Sequence, residues 1–181
     1  MDLVIAISQG LGLAVAAGLI STAPLAVGAT AAATGVSDSA LGFADDTITL
    51  VVTWVATGIE LVADAIWPGS EAGARLARRV ISGGLAFELV AGEEVPYVGL
   101  LIGAAVSGAV ALALRQIRMR AIRGGGDARG TALIEDATGV VASVLGAIPF
   151  VGIPMAAAAA ALFARTRRRD QDKYKGLRVL R

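Results

Sequence analysis

Polar side chains recur at helical spacing along one otherwise apolar stretch, DTITLVVTWVATGIELVADAIW, which covers residues 46–67. After Asp46 they fall at Thr49, Thr53, Thr57, Glu60 and Asp64. Spacings of three and four residues place these side chains on a single helical face. The stretch is also long enough to cross a bilayer, which requires roughly 20 residues. A helix with one narrow polar line and apolar sides elsewhere is typical of a membrane bundle whose polar line faces inward.

Charges, glycines and prolines divide the chain into five long apolar segments. These are residues 3–34, 47–67, 76–92, 97–114 and 131–164. The first and the last are too long for one ordinary crossing, and each contains a break, at Gly18 and Pro24 or at Pro149 and Pro154. Such breaks predict interrupted helices or tight hairpins. We therefore predict an all-α fold, a polytopic integral membrane helical bundle with about six or more helical arms.

The composition agrees with a membrane location, because 56% of the 181 residues are hydrophobic, 17% are charged and the mean hydropathy is +0.72. So few polar residues cannot cover a soluble globule of this size. The chain has no cysteine and no histidine, which excludes disulfides, thiolate or imidazole metal sites, and Ser-His or Cys-His catalysis. We expect no enzyme activity, no metal site and no cofactor.

The charges between the apolar segments predict an orientation. Acidic residues without a base connect the first two segments, whereas five arginines lie within residues 115–129 and six basic residues within 165–175. By the positive-inside rule, the basic connections and the C-terminus are cytoplasmic. The last segment must then enter the membrane and return, turning at residues 149–154, either as two thin crossings or as a shallow or re-entrant hairpin. We predict one transmembrane domain over residues 1–168 and a basic cytoplasmic tail over 169–181.

The first segment permits two arrangements. One long broken helix places the N-terminus inside, whereas a hairpin that turns near residues 21–24 places it outside. A cleavable signal peptide is the other interpretation of the first 25 residues, but Asp2 stands where a basic region is expected and the apolar stretch continues past any cleavage site.

This orientation brings charges from three segments to a similar depth. They are Asp64, the neighbours Arg78 and Arg79, and the neighbours Glu135 and Asp136. We predict that they form one ion-paired network, in which the arginines are the partners of the acids. A structural role is to lock the helices together, since an unpaired charge at this depth is costly and a pair is tolerated. A functional role is to bind an ion or solute through the three carboxylates.

Glu60 lies one helical turn deeper than Asp64, and no basic residue is evident at its level. We therefore predict that Glu60 is a protonatable or ligand-binding carboxylate. Glu88 points away from the arginine side of its own segment, and its predicted place is the interface at the outer end.

Small residues recur every four positions in the fourth segment, at Gly99, Gly103, Ser107 and Ala111. Such a ladder lets another helix approach closely. A partner helix within the chain is the default prediction, and a homo-oligomer through Gly99, Gly103 and Ser107 is the alternative.

The stretch GIELVADAIWPGSEAGARLARRVISGGLAFEL resembles the central signature of domain-of-unknown-function family 4126, a family of bacterial integral membrane proteins. GLGLAVAAGLISTAPL and LIEDATGVVASVLG are similar to that family's first segment and late helix, so the resemblance covers nearly the whole chain. The matching positions are Gly18, Pro24, Glu60, Asp64, Pro68, Arg79, Glu135 and Asp136. The resemblance implies a bacterial inner-membrane protein without an established activity.

Two classes of function fit these patterns. The first is a small transporter or channel-like protein for an ion or small solute, in which broken segments and intramembrane carboxylates frame the binding site. The alternative is a noncatalytic scaffold or lipid-associated protein whose buried charges are structural and whose basic tail contacts anionic headgroups. Both predict membrane lipids as partners and no nucleic acid.

Overall fold

The computed structural model describes residues 2–35, 46–66 and 72–175. This part of the chain contains seven α-helices and no strand, which confirms the all-α prediction. The helices are α1 (Leu3–Ala17), α2 (Ala23–Ala33), α3 (Thr47–Ile66), α4 (Ala72–Ala91), α5 (Val98–Arg123), α6 (Ala128–Gly146) and α7 (Gly152–Lys175). The acidic connection at residues 36–45 and the matched residue Pro68 lie outside the described residues.

The first apolar segment is a helical hairpin. Gly18 directly follows α1, and Pro24 lies in the first turn of α2, where its missing N–H leaves no hydrogen bond unmade. The Cβ position of Gly28 in α2 is 3.5 Å from Leu13 Cδ1 in α1, so residues at similar distances from the interruption meet and the arms are antiparallel. With a rise of about 1.5 Å per residue, the arms span roughly 22 and 16 Å, less than the roughly 30 Å of a bilayer core.

The last apolar segment is also a hairpin, and α1 lies between its two arms. Pro149 lies in the turn, and Pro154 lies in the first turn of α7. Gly146 at the end of α6 packs directly on Gly12 of α1, with its Cβ position 2.6 Å from the Gly12 carbonyl carbon. Gly152 at the start of α7 packs on the same stretch of α1, which leaves no room for a side chain. A turn is therefore present, but it covers residues 147–151, whereas the prediction was 149–154 and residues 152–154 already belong to α7.

The small-residue ladder of α5 faces α4 in the same chain. Gly99, Gly103 and Ser107 are buried, and a Cβ on Gly103 would overlap the carbonyl oxygen of Gly83 in α4. This contact agrees with the intramolecular default. A homo-oligomer through the ladder stays a prediction, and it requires α4 to leave this face.

Two helices extend past the apolar segments that predicted them. α5 continues to Arg123, so most arginines assigned to a loop lie on its last two turns. Arginine is a good helix former, and its long stem covers apolar surface while its charge reaches a polar region. α7 continues through the expected domain boundary at residues 168 and 169 to Lys175, and residues 176–181 are outside the described part.

The polarity of α3 is inverted relative to a helix of a soluble protein. Its buried residues are Thr57, Glu60 and Asp64, which are all polar. Its exposed side includes large apolar residues such as Ile48 and Ile59, which are 69% and 65% exposed. Within the described ranges, α3 and α5 are long and apolar enough to cross a membrane, whereas α1 and α2 are apolar but shorter.

Candidate ion-binding site

The interruption between α1 and α2 is held by the carboxylate of Glu60, which reaches it from α3. The backbone N–H of Ser21 donates to Glu60 Oε1 at 3.1 Å, and that of Thr22 donates to Oε2 at 2.8 Å. The Thr22 hydroxyl donates to Oε2 at 2.6 Å, and the Ser21 hydroxyl donates to Oε1. Both carboxylate oxygens are therefore bonded by the two residues immediately before α2, at its positive N-terminal end, where the helix dipole favours an anion.

This geometry corrects the prediction that Glu60 has no partner. No arginine pairs with it among the described ion pairs, as expected, but four hydrogen-bond donors of the interruption do. A search for basic residues misses such a partner, because backbone N–H groups at a helix start carry no residue-type signal. The sequence showed the break at Gly18 and Pro24 and showed the acid, but not that the two meet.

Ser82 of α4 supports the same interruption from the opposite side. Its hydroxyl donates to the carbonyl oxygen of Ser21. The buried turn therefore has partners for its donors and for one acceptor, as a backbone away from water requires. Ser82 is a site residue that the sequence did not predict, whereas Ser21 was predicted as part of the turn at residues 21–24.

Asp64 pairs with Arg75, not with Arg78 or Arg79. Arg75 Nη2 lies 2.7 Å from Asp64 Oδ1, and both side chains are buried. Arg78 is exposed, so the prediction that it joins the network is wrong. On α4, Arg75, Arg79 and Ser82 recur at spacings of four and three and share the inward face, whereas Arg78 lies off that line.

Arg79 pairs with Glu135 as the network predicts. Arg79 Nη1 donates to Glu135 Oε1 at 2.6 Å, and Arg118 Nη1 of α5 lies 3.6 Å from Glu135 Oε2. One carboxylate of α6 therefore joins three helices. Arg118 was not singled out by the sequence, because it was placed in a loop that is helical in the structure.

Asp136 is buried beside this network, with 2% of its surface exposed. Its electrostatic neighbours are Asp64 and Glu135, then Arg79 and Glu60. Its Oδ2 atom is buried and accepts no hydrogen bond within the described part of the chain. The predicted neighbourhood of Asp64, Arg79, Glu135 and Asp136 is therefore present, and Asp136 is the member without an ion pair in the described set.

Glu88 is buried within the protein near the end of α4, and its place at the outer interface stays a prediction. It is 7% exposed, and its Oε1 atom accepts the backbone N–H of Tyr97 at 3.1 Å in the turn between α4 and α5. Tyr97 has a positive φ of 63°, which residues other than glycine rarely adopt. Glu88 therefore stabilises a turn and lies apart from the other carboxylates.

Asp127 gives an exposed comparison to Glu60, because it also accepts at a helix start. Its Oδ2 accepts the backbone N–H of Gly130 at 2.8 Å and caps α6. This bond, together with that from Arg129, holds the pKa of Asp127 below its ordinary value of 3.8.

The carboxylates do not converge as metal ligands do. Within the described ranges, no group of three or more Asp, Glu, His or Cys side chains is arranged to hold a metal ion. The chemistry available is therefore that of carboxylates, guanidiniums and hydroxyls, which can bind a small ion or exchange a proton.

Comparison of the chain with family models, curated proteins and solved structures gives no match. The resemblance to domain-of-unknown-function family 4126 therefore stays a prediction.

Proposed function

We propose that this chain is a multi-pass protein of the bacterial inner membrane and that it acts as a small transporter or channel-like protein for an ion or small solute. The observation that carries the proposal is the inverted helix α3, which exposes apolar side chains and buries Glu60 and Asp64 against an interrupted helix. Each half of this observation supports one part of the proposal.

The exposed apolar side of α3 supports a membrane location. Continuous apolar surface on this scale is rare on soluble monomers, and here it continues from α3 onto α6, where Ile134 is 70% exposed. The polar line points inward, because an acid facing hydrocarbon costs about 2.5–3.5 kcal/mol even on insertion scales. The antiparallel packing brings several basic helix ends to one side of the bundle. They carry Arg75, Arg118 and the arginines of α7, and their shared side favours a cytoplasmic C-terminus.

The buried acids of α3, which lie against the interrupted helix, support transport. Interrupted helices near the middle of a membrane offer backbone groups to ions and solutes, and many secondary transporters bind substrates at such breaks. Here the start of α2 already binds an anionic group, the carboxylate of Glu60. The site therefore combines a backbone anion position, a carboxylate that fills it and a charge network next to it.

The alternative is a noncatalytic scaffold or lipid-associated protein. The ion pairs Asp64–Arg75 and Arg79–Glu135 favour it, since paired buried charges hold helices in register without any transported ligand. Membrane lipids are partners under both proposals, through the exposed apolar belt and the basic end of the bundle.

Flux through reconstituted vesicles decides between these functions. Purified protein in liposomes, loaded with a pH-sensitive dye and given a proton, sodium or potassium gradient, is expected to dissipate one gradient faster than protein-free liposomes. The Gly58→Ala variant is the matched control, because Gly58 is exposed and no neighbour lies within 4 Å of its Cβ position. If vesicles with wild-type protein are no more permeable to these ions and to small solutes than protein-free vesicles, the transport proposal is wrong and the scaffold function remains.

A further inference from the structure

Three of the four carboxylates around the first interruption have a positive partner. Asp64 pairs with Arg75, and Glu135 pairs with Arg79 and contacts Arg118. Glu60 accepts the backbone N–H groups of Ser21 and Thr22, which lie immediately before α2 at the positive end of its dipole. Each guanidinium in the described ion pairs is therefore next to Asp64 or Glu135, and the positive end of α2 is occupied by Glu60.

Asp136 is the carboxylate that these partners leave out. Only 2% of its surface is exposed, and its Oδ2 atom has no hydrogen-bond partner within the described ranges. The charged groups that face it come from three helices: Glu60 and Asp64 from α3, Arg79 from α4, and Glu135 from α6 itself. Three of these four groups are acids. Arg79 donates to Glu135 through Nη1, whereas its Nε and Nη2 atoms, like Asp64 Oδ2, have no hydrogen-bond partner within the described ranges. Asp136 differs from Asp64 and Glu135 in having no ion pair among those described.

The cluster has more negative than positive charge when every group is ionised. Asp64, Glu135 and Asp136 stand beside Glu60, which makes four carboxylates, against the guanidiniums of Arg75, Arg79 and Arg118. An uncompensated charge in a membrane interior is unfavourable, and binding one cation removes it. A bare proton satisfies this requirement at a single oxygen, whereas a metal cation takes several converging ligands. Within the described ranges, no group of three or more His, Cys, Asp or Glu side chains is arranged to hold one.

We propose that Asp136 is the proton-binding residue of this protein, and that Glu60, Asp64 and Glu135 are fixed structural carboxylates. The inference rests on the proposed transport function and names its ion. In the protonated state the cluster is neutral, whereas in the deprotonated state Asp136 repels Asp64 and Glu135 and weakens the contacts among α3, α4 and α6. Proton release is thereby coupled to the packing around the interruption.

Infrared spectroscopy tests the proton site without relying on transport. Wild-type protein in lipid is expected to show the carbonyl band of one protonated buried carboxyl per chain, which disappears as the pH is raised. Asp136→Asn should lack this band and still fold, because an amide has the size and neutrality of the protonated acid. Asp127→Asn, which removes an exposed carboxyl on the same helix, should keep the band.

The outcomes separate this inference from the transport proposal. A band that persists in Asp136→Asn, or a wild-type protein without such a band at any pH, overturns the inference even if vesicles show flux. A band that depends on Asp136 in a protein without flux supports the proton site and overturns transport. If Asp136→Asn does not fold, Asp136→Glu keeps a carboxyl at a changed position, and an unchanged titration midpoint of the band would overturn the inference.

Discussion

The two helix interruptions look alike in sequence but are stabilised differently. At the first, between α1 and α2, the charged carboxylate of Glu60 accepts from Ser21 and Thr22. At the second, between α6 and α7, the partner from another helix is a neutral amide: Gln9 Nε2 of α1 donates to the carbonyl oxygen of Ala147 at 2.6 Å. Each contains glycine and proline, yet one is held by an anion and the other by one neutral bond and close backbone packing.

The depth of each turn accounts for the difference. Ser21 is 3% exposed, so its backbone groups have no access to solvent, whereas Phe150 in the second turn is 57% exposed. The second turn also closes on itself, since the N–H of Val151 donates to Ile148 at 3.3 Å. The backbone groups of a buried interruption therefore require hydrogen-bond partners from other helices. This requirement explains why α3 carries an acid within its apolar sequence.

The largest effect is expected on removing the anion at the first interruption. Glu60→Ala leaves the buried N–H of Ser21 and the partly buried N–H of Thr22 without an acceptor, and an unmade bond costs about 1–3 kcal/mol when its group is buried, so we expect a loss of at least about 2 kcal/mol. Thermal unfolding in detergent measures the loss, with exposed Glu93→Ala as the matched acid control. An unfolding midpoint for Glu60→Ala equal to that of the control would mean that the carboxylate does not hold the break.

A smaller but clear loss is expected from a methyl group at the second interruption. Gly152→Ala places a Cβ against the Ser8 carbonyl oxygen and 2.6 Å from the Gly12 nitrogen, and such overpacking costs about 1–3 kcal/mol. Gly58→Ala is the control at an exposed helical glycine. Equal stability of the two variants would show that close packing of α7 on α1 is not what holds this turn.

Removing the neutral bond at the second interruption should cost less. Gln9→Met keeps most of the side-chain volume and removes the donor to Ala147, so we expect a loss of about 1 kcal/mol. The measurement is the free energy of unfolding in detergent. A loss as large as that of Glu60→Ala would remove the contrast between charged and neutral support.

The smallest effect concerns the exposed helix start at Asp127, where solvent competes for the same N–H groups. Its lowered pKa means that the folded state gains stability at pH values above the ordinary value of 3.8, and that this gain is lost as the pH falls through the lowered value. Asp127→Asn should therefore reduce the acid dependence of unfolding slightly and change little at neutral pH. A large loss at neutral pH would contradict the distinction between buried and exposed caps.

The fold follows from the sequence to the extent that each helix carries its own signal. The polar line of α3 and the breaks at Pro24 and Pro149 are local patterns, so the spacing of apolar and polar residues predicts them. The ends of α5 and α7 are not predicted, because a hydrophobicity boundary marks a change in surroundings and a helix continues through arginines. Whether the first segment turns back depends on packing against α4, which no local pattern contains.

The candidate site was predicted in its acids but only partly in their partners. Arg79 and Glu135 pair as expected, whereas Arg75 takes the place assigned to Arg78. The choice between neighbouring arginines depends on the rotation of α4, which its small residues set by packing on α5. The partners of Glu60 are backbone groups, and their positions follow from the tertiary fold alone.

The location of α1 between α6 and α7 has a consequence for biosynthesis. Chains leave the ribosome from the N-terminus, so α1 is made before α6 and α7, the two helices that pack on it from either side. The acceptor for the interruption between α1 and α2 is also made later, with α3. The contacts of α1 are therefore complete only when the hairpin of α6 and α7 has formed, and a chain truncated before α6 should leave α1 accessible to proteolysis.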